Sequence, residues 1–190
     1  PAPEPATAPE PAYRVSLATC QKDVRAAQRL RHLVFAGELG ARLEGPEPGL
    51  DSDAFDAYCD HLLVRETATG DVVATYRLLP PDRARIAGRL YAESEFDLSN
   101  LDAIRDDLVE VGRSCVHPAH HCDASAHGPE AGSRADLPPL LRGYLRLGAQ
   151  VCGAPAYDPD FNVADLYVLL SLRRTDPRYL RHFLSLAPLR

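Results

Sequence analysis

Lysine is nearly absent from this chain. Lys22 stands alone, arginine supplies the rest of the 21 basic residues, and 27 acidic residues leave a net charge of −6. An acidic balance without a Lys/Arg run or an interleaved aromatic tract excludes a phosphate-backbone binder, so no nucleic-acid partner is expected. Tryptophan and methionine are missing altogether, and the second absence points to a trimmed start. Paired-cysteine spacing is missing too. The five cysteines, Cys20, Cys59, Cys115, Cys122 and Cys152, are odd in number and widely separated, with no C-x-x-C. They read as reduced, mostly buried thiols rather than a disulfide framework. The longest apolar run, near Leu166–Leu172, is too short to span a bilayer, and no signal-peptide pattern is visible. A soluble, cytoplasmic protein is expected, with peripheral contact to a membrane surface left open.

What is present suits one globular domain: 190 residues, 45% of them apolar. Residues 1–12, PAPEPATAPEPA, form a Pro/Ala/Glu tract that buries nothing and is expected to be a disordered tail. The domain then runs over 13–190. Tyr13–Leu17 alternates as a strand, and Asp23 or Thr19 caps a helix reaching about Phe35. Two strands, His61–Glu66 and Val72–Leu79, flank a turn at Gly70 and make a hairpin. Asp97–Leu108 reads as a short surface helix, and Leu108–Val116 as a buried strand. The polar stretch Ala119–Asp136 reads as an irregular connection. A helix from Asp136 to about Gln150 follows, packing on Leu137, Leu140, Leu141, Tyr144, Leu145 and Gly148. Ala164–Leu172 is an apolar strand, and Asp176-Pro177 caps a last helix. This order predicts one α/β domain on a mixed, mainly antiparallel sheet.

Three places put charge where apolar residues are expected. On the first helix, at about 100° per residue, Val24, Ala27, Val34 and Phe35 form a stripe with Arg31 near its middle. An arginine there is costly unless a carboxylate pairs with it, and Asp53 and Asp56 lie in the loop that follows. On the hairpin, Val73, Thr75, Arg77 and Leu79 share a face, so Arg77 interrupts an apolar row. On the strand Leu108-Val-Glu-Val-Gly-Arg-Ser-Cys-Val, Glu110 and Arg113 would point to opposite faces by alternation. A bulge at Gly112 returns them to one face. The plainer alternatives are an Arg31 that snorkels outward and strand charges that are simply solvated.

The blocks Arg31-His-Leu-Val-Phe35, Asp53-Ala-Phe-Asp56, Tyr76-Arg77-Leu-Leu-Pro80 and Glu110-Val-Gly-Arg113 resemble the N-acyl-homoserine-lactone synthases. They resemble still more the ornithine-lipid N-acyltransferases of the GNAT superfamily. The resemblance covers about residues 14–118, and the segment from Leu137 also resembles that group. It implies a GNAT-like fold and N-acyl transfer from an acyl-carrier-protein or CoA thioester to the α-amine of an amino acid such as ornithine, with no cofactor beyond the donor. It implies further that Arg31, Asp53, Asp56, Arg77, Glu110 and Arg113 form an electrostatic cluster beside the acceptor pocket, walled by Phe35. Such chemistry needs a base for the amine, for which Glu110 is the candidate. It also needs donors for the oxyanion, which backbone N–H groups freed around Gly112 could supply. The acids would hold the acceptor's ammonium, and Arg77 or Arg113 its carboxylate. The missing tryptophan, which the lactone synthases carry after the Arg…Phe block, argues against S-adenosylmethionine as acceptor. Those families also place a long helix and another strand after the His-Pro end of the Glu110 strand. Here only Ala119–Asp136 stands there, so the chain is either a shortened variant or lacks residues.

Three other classes compete. His117-Pro-Ala-His120-His121-Cys122-Asp123, with His127, offers dense metal ligands, but in no structural zinc spacing, and no metal is expected. A shortened, catalytically inactive GNAT-like binding module is the second. A Cys115 or Ser114 nucleophile with His117 is the third, and it lacks an obvious orienting member.

Overall fold

The computed structural model describes residues 10–43, 45–121 and 137–185. Contacts divide them into two compact units, one drawn from Pro1–Asp123 and Pro159–Asn162, the other from Ala124–Asp158 and Val163–Arg190.

The first unit is built on an antiparallel sheet in which β1 (Tyr13–Leu17), β2 (Asp60–Glu66), β3 (Val72–Leu79) and β4 (Glu110–Val116) lie in chain order. The central pair, β2 and β3, is antiparallel because a tight turn joins it at Gly70, which takes a positive φ of 77°. Alternation in β3 is strict: Val73, Thr75, Arg77 and Leu79 are buried on one face, as their spacing predicts. Helix α1 (Gln21–His32) packs on that sheet. Leu30 on α1, Val34 and Phe35 beyond it, Ala41 and Cys115 make a core cluster, with Leu43, Val72 and Phe161 packed against it. Cys20, rather than Thr19 or Asp23, is the N-cap of α1. The Asp23 carboxylate instead reaches back to accept the Thr19 N–H at 3.3 Å. After His32 the chain widens into a π-helical turn over Leu33–Glu38, so the helical path outlasts the expected end at Phe35.

Pro80 and Pro81 end β3 and also begin α2 (Pro81–Ala87), a helix that the sequence reading missed; Pro suits the first helical turn because its missing N–H has no partner there. The segment expected as a surface helix forms a 3-10 helix over Ser99–Asp107.

Two expectations are corrected in β4. The strand was expected to be buried, yet among the described residues it pairs only with β3, as an edge. Val109, Val111 and Val116 are 52%, 45% and 39% exposed. The bulge was expected at Gly112 and lies one step further on. Arg77 faces Gly112 and Thr75 faces Cys115, leaving Arg113 and Ser114 together opposite Tyr76. Arg113, not the glycine, takes the left-handed backbone, with φ at 49°. The ladder holds Gly112 in register, so the next residue absorbs the distortion.

In the second unit, α3 (Pro139–Arg146) is shorter than expected. Gly148, at φ 92°, follows its end. Leu141, Tyr144 and Leu145 are half-buried, but Leu137 and Leu140 of the expected packed face are exposed. The expected strand Ala164–Leu172 is two short pieces: β7 (Val163–Asp165) pairs with β6 (Ala156–Asp158), and β8 (Val168–Leu169) pairs with β5 (Gln150–Val151). Asp176 caps α4 (Pro177–Ser185), its carboxylate accepting the Arg178 N–H at 2.8 Å. The expectations for the tail over 1–9, the Asp136 cap, Cys122, His127 and the connection over 122–136 lie outside the described residues. Among the described residues no helix is long and apolar enough to cross a membrane.

Candidate active site

Arg31 comes from the middle of α1's buried stripe and is only 1% exposed. Its guanidinium does find acids. Nε lies 2.8 Å from Asp51 Oδ2, and Nη2 donates to Asp56 Oδ2 at 2.8 Å. Asp53, the other partner offered by the sequence, pairs elsewhere. Asp53 and Asp56 sit at the start of a single 3-10 turn, Ala54–Ala57, which Asp53 caps by accepting the N–H groups of Phe55 and Asp56 at 2.8 and 3.2 Å. That cap turns Asp53 toward β3, where Arg77 Nη1 donates to both of its oxygens at 2.7 Å and to Asp56 Oδ1 at 3.1 Å.

The bulge delivers the third arginine. Arg113 donates to Asp51 Oδ1 at 3.3 Å and to the Tyr91 hydroxyl at 3.0 Å, and stands 3.9 Å from Asp53 Oδ2. Three guanidinium groups thus face three carboxylates in one closed lattice, which is how so much charge tolerates burial. Charge remains presented at only two members, Asp53 at 27% and Arg113 at 16% side-chain exposure. Phe35 lies beside the cluster, with Arg113 lying 5.8 Å from its ring and 5.8 Å from that of Phe161. The two rings meet edge to face at 5.3 Å.

Glu110 lies on the same side of the strand as Arg113, since both reach Tyr91. Its carboxylate accepts the main-chain N–H groups of Tyr91 and Ala92 at 2.6 and 2.8 Å. Burial raises its pKa above the ordinary 4.5, against the pull of those N–H groups and of Arg77. Burial works the same way on Asp56, but Arg31 beside it more than reverses the effect and leaves that carboxyl below its usual value. Arg77 likewise loses to burial and gains more from Asp53, so its charge is secure.

Sequence reasoning missed four members. Asp51 was visible in the same acidic run, and its spacing to Asp53 and Asp56 was the available signal. Gln28, one turn before Arg31, donates to Asp56 Oδ2 at 2.9 Å. His61 is buried beneath, its Nε2 lying 3.3 Å from the Asp56 carbonyl oxygen. Burial lowers its pKa from 6.5. Tyr91 carried no signal that separated it from an ordinary loop aromatic.

The rival sites fare worse. Burial pushes the Cys115 thiol up to about 12, so it is no ready nucleophile. Cys20 and Cys152 are exposed, against the expectation of mostly buried thiols. His120 bonds the Tyr13 hydroxyl at 3.2 Å and His121 lies 3.0 Å from the Val116 carbonyl oxygen, so these two side chains go to separate partners.

A family model described as an acetyltransferase (GNAT) domain matches residues 30–127. An L-ornithine N(alpha)-acyltransferase of Brucella abortus is 29% identical, covering 89% of this chain and 88% of that protein. One from Rhodobacter capsulatus is 43% identical, covering 60% of this chain and 46% of that protein. Among solved structures, the AHL synthase LasI is 16% identical over 60% of this chain and 56% of that one, with a TM-score of 0.38. The Brucella match runs over 246 positions, whereas 89% of 190 residues is about 169, so about 77 positions have no counterpart in this chain.

Proposed function

The chain belongs to the GNAT acetyltransferase family, and from that premise we propose that it moves a fatty acyl group from an acyl-carrier-protein or CoA thioester to the α-amine of ornithine. The observation that carries this reading is that Glu110 and Arg113 both bond Tyr91 where β4 bulges, with Arg113 3.9 Å from Asp53, beside the names of the relatives.

In the proposed reaction the amine nitrogen attacks the thioester carbonyl, the carbon–sulfur bond breaks, and the thiol leaves with a proton. The amine must first be neutral. Glu110 takes its proton, directly or through a water. Each of its oxygens keeps a lone pair beyond the N–H it accepts, and burial has raised its affinity for a proton. The bulge, where Arg113 and Ser114 lie out of register, supplies main-chain donors for the tetrahedral oxyanion. Asp53, the most exposed of the three aspartates, receives the acceptor's ammonium groups. Arg113 rather than Arg77 takes its carboxylate, because Arg77 is committed to Asp53 and Asp56. Arg31 and Asp51 hold the frame.

Incubating the protein with ornithine and either acyl-carrier-protein or CoA thioesters, followed by mass spectrometry, tests this. The expected product is N-acyl-ornithine. Glu110→Gln, which keeps one acceptor oxygen, is expected to lower turnover by about a hundredfold or more while the protein stays folded. No product from either donor favours the inactive binding module, for which the exposed β4 edge and the unmatched positions of the relatives already speak.

A further inference from the structure

Glu110 and Arg113 stand three residues apart across a distorted stretch of strand, and one residue from another segment touches both. The Tyr91 main-chain N–H donates to Glu110 Oε2 at 2.6 Å, and the Tyr91 hydroxyl accepts from Arg113 Nη2 at 3.0 Å. Its ring lies 5.1 Å from the Arg77 guanidinium and 5.5 Å from that of Arg113, and meets Phe55 edge to face at 5.4 Å.

The turn that carries Tyr91 is itself pinned. Leu90 N–H donates to Glu93 Oε2 at 2.6 Å, and Arg105 Nη2 holds Glu93 Oε1 at 2.5 Å. Glu110 closes the other side through the Tyr91 and Ala92 N–H groups. Tyr91 is therefore a fixed post rather than a loose aromatic.

We infer that Tyr91 is a positioning residue that holds Arg113 away from Asp53 and so keeps Asp53 open for the acceptor amine. Arg113 has two carboxylates within reach, Asp51 Oδ1 at 3.3 Å and Asp53 Oδ2 at 3.9 Å. Asp53 Oδ1 already accepts from Arg77 and two N–H groups, whereas Oδ2 accepts from Arg77 alone. That oxygen is the one with room for an ammonium. Without the Tyr91 hydroxyl the guanidinium loses one anchor, and the nearest replacement is Asp53 Oδ2. Closing that pair would neutralise the acid that faces the acceptor.

The inference rests on the acceptor reading above, and its test separates the two. Tyr91→Phe keeps the ring and the N–H bonds and removes one oxygen. The KM for ornithine is expected to rise about tenfold, the worth of one charge-assisted hydrogen bond. The kcat and the KM for the acyl donor should stay within about twofold, with an unchanged unfolding midpoint. Side-chain NMR adds a readout independent of turnover. The Arg113 guanidinium signals should shift in Tyr91→Phe, as Nη2 leaves the hydroxyl for Asp53 Oδ2, with the group still rotating slowly in both proteins. Unchanged acceptor KM with unchanged Arg113 signals overturns the role, and so does a loss of stability as large as that of Tyr91→Ala. If the wild-type protein acylates no amine, the acyltransferase reading fails instead, and the Arg113 signals alone decide whether Tyr91 positions that group.

Discussion

Arg31 carries the site's largest conflict between burial and charge. It sits at 1% exposure with Asp51 and Asp56 as partners, and the methylenes of its stem lie in the apolar stripe of α1. Arg31→Met preserves much of that volume and strands both acids, although Arg113 and Arg77 still touch them. The expected cost is about 3 kcal/mol, read as a drop in the urea midpoint. Making Asp56→Asn as well should recover part of it, since one stranded charge then disappears. His61 sets a second test at this scale. Burial lowers its folded pKa below 6.5, so the folded protein keeps the ring neutral while the unfolded chain takes up a proton first. The stabilising term is therefore full above pH 6.5 and is lost as pH falls below it. Glu110 acts in the opposite sense. Its raised pKa favours the folded state at low pH, and that share fades as pH rises past 4.5. The two trends overlap, so the comparison must be with His61→Gln. The wild type is expected to lose stability between pH 7.5 and 5.5 more steeply than that variant.

At the scale of the element, β4 decides what the site contains. Gly112 drew attention as the glycine between Glu110 and Arg113, yet a Cβ there would meet nothing within 4 Å, and its backbone does not take a positive φ. Gly112→Ala is accordingly expected to be tolerated within about 1 kcal/mol, with the acyl transfer assay as the check. Deleting Ser114 should do the opposite. The strand would regain a regular ladder with β3, with Arg113 alone opposite Tyr76 and so turned to the face away from Glu110, Gly112 and Cys115. Arg113 then leaves Tyr91 and Asp51, while Glu110 and Cys115 keep their places. Loss of the cooperative unfolding transition, or of activity with the fold retained, is the outcome to look for; an active, stable deletion variant would mean that the bulge is incidental.

For the molecule as a whole, the open side of β4 is the feature that changes behaviour in solution. An apolar edge strand without a neighbour among the described residues invites pairing with another copy. Light scattering is expected to rise with protein concentration, and Val111→Lys, at a 45% exposed position, should suppress the rise. Equal scattering from both proteins would show that the edge is covered.

What the sequence determined by itself is the local part of this architecture. The row Val73, Thr75, Arg77, Leu79 and the place of Arg31 in the α1 stripe follow from side-chain periodicity, a property of neighbouring residues that needs no knowledge of the fold. The same periodicity showed that Glu110 and Arg113 require a bulge to share a face. Which acid meets which arginine was decided elsewhere. Arg31 took Asp51 and Asp56, and left Asp53 to Arg77, because the short turn at Ala54–Ala57 rotates the two acids apart. Arg113 meets Asp51 across 62 residues and Tyr91 across 22. Contacts of that separation depend on how the sheet and its loops close on one another, and no periodicity in the chain encodes them. The edge position of β4 belongs to the same class. A run of valines specifies a strand, whereas the presence of a neighbour depends on the other segments, which only the assembled fold supplies.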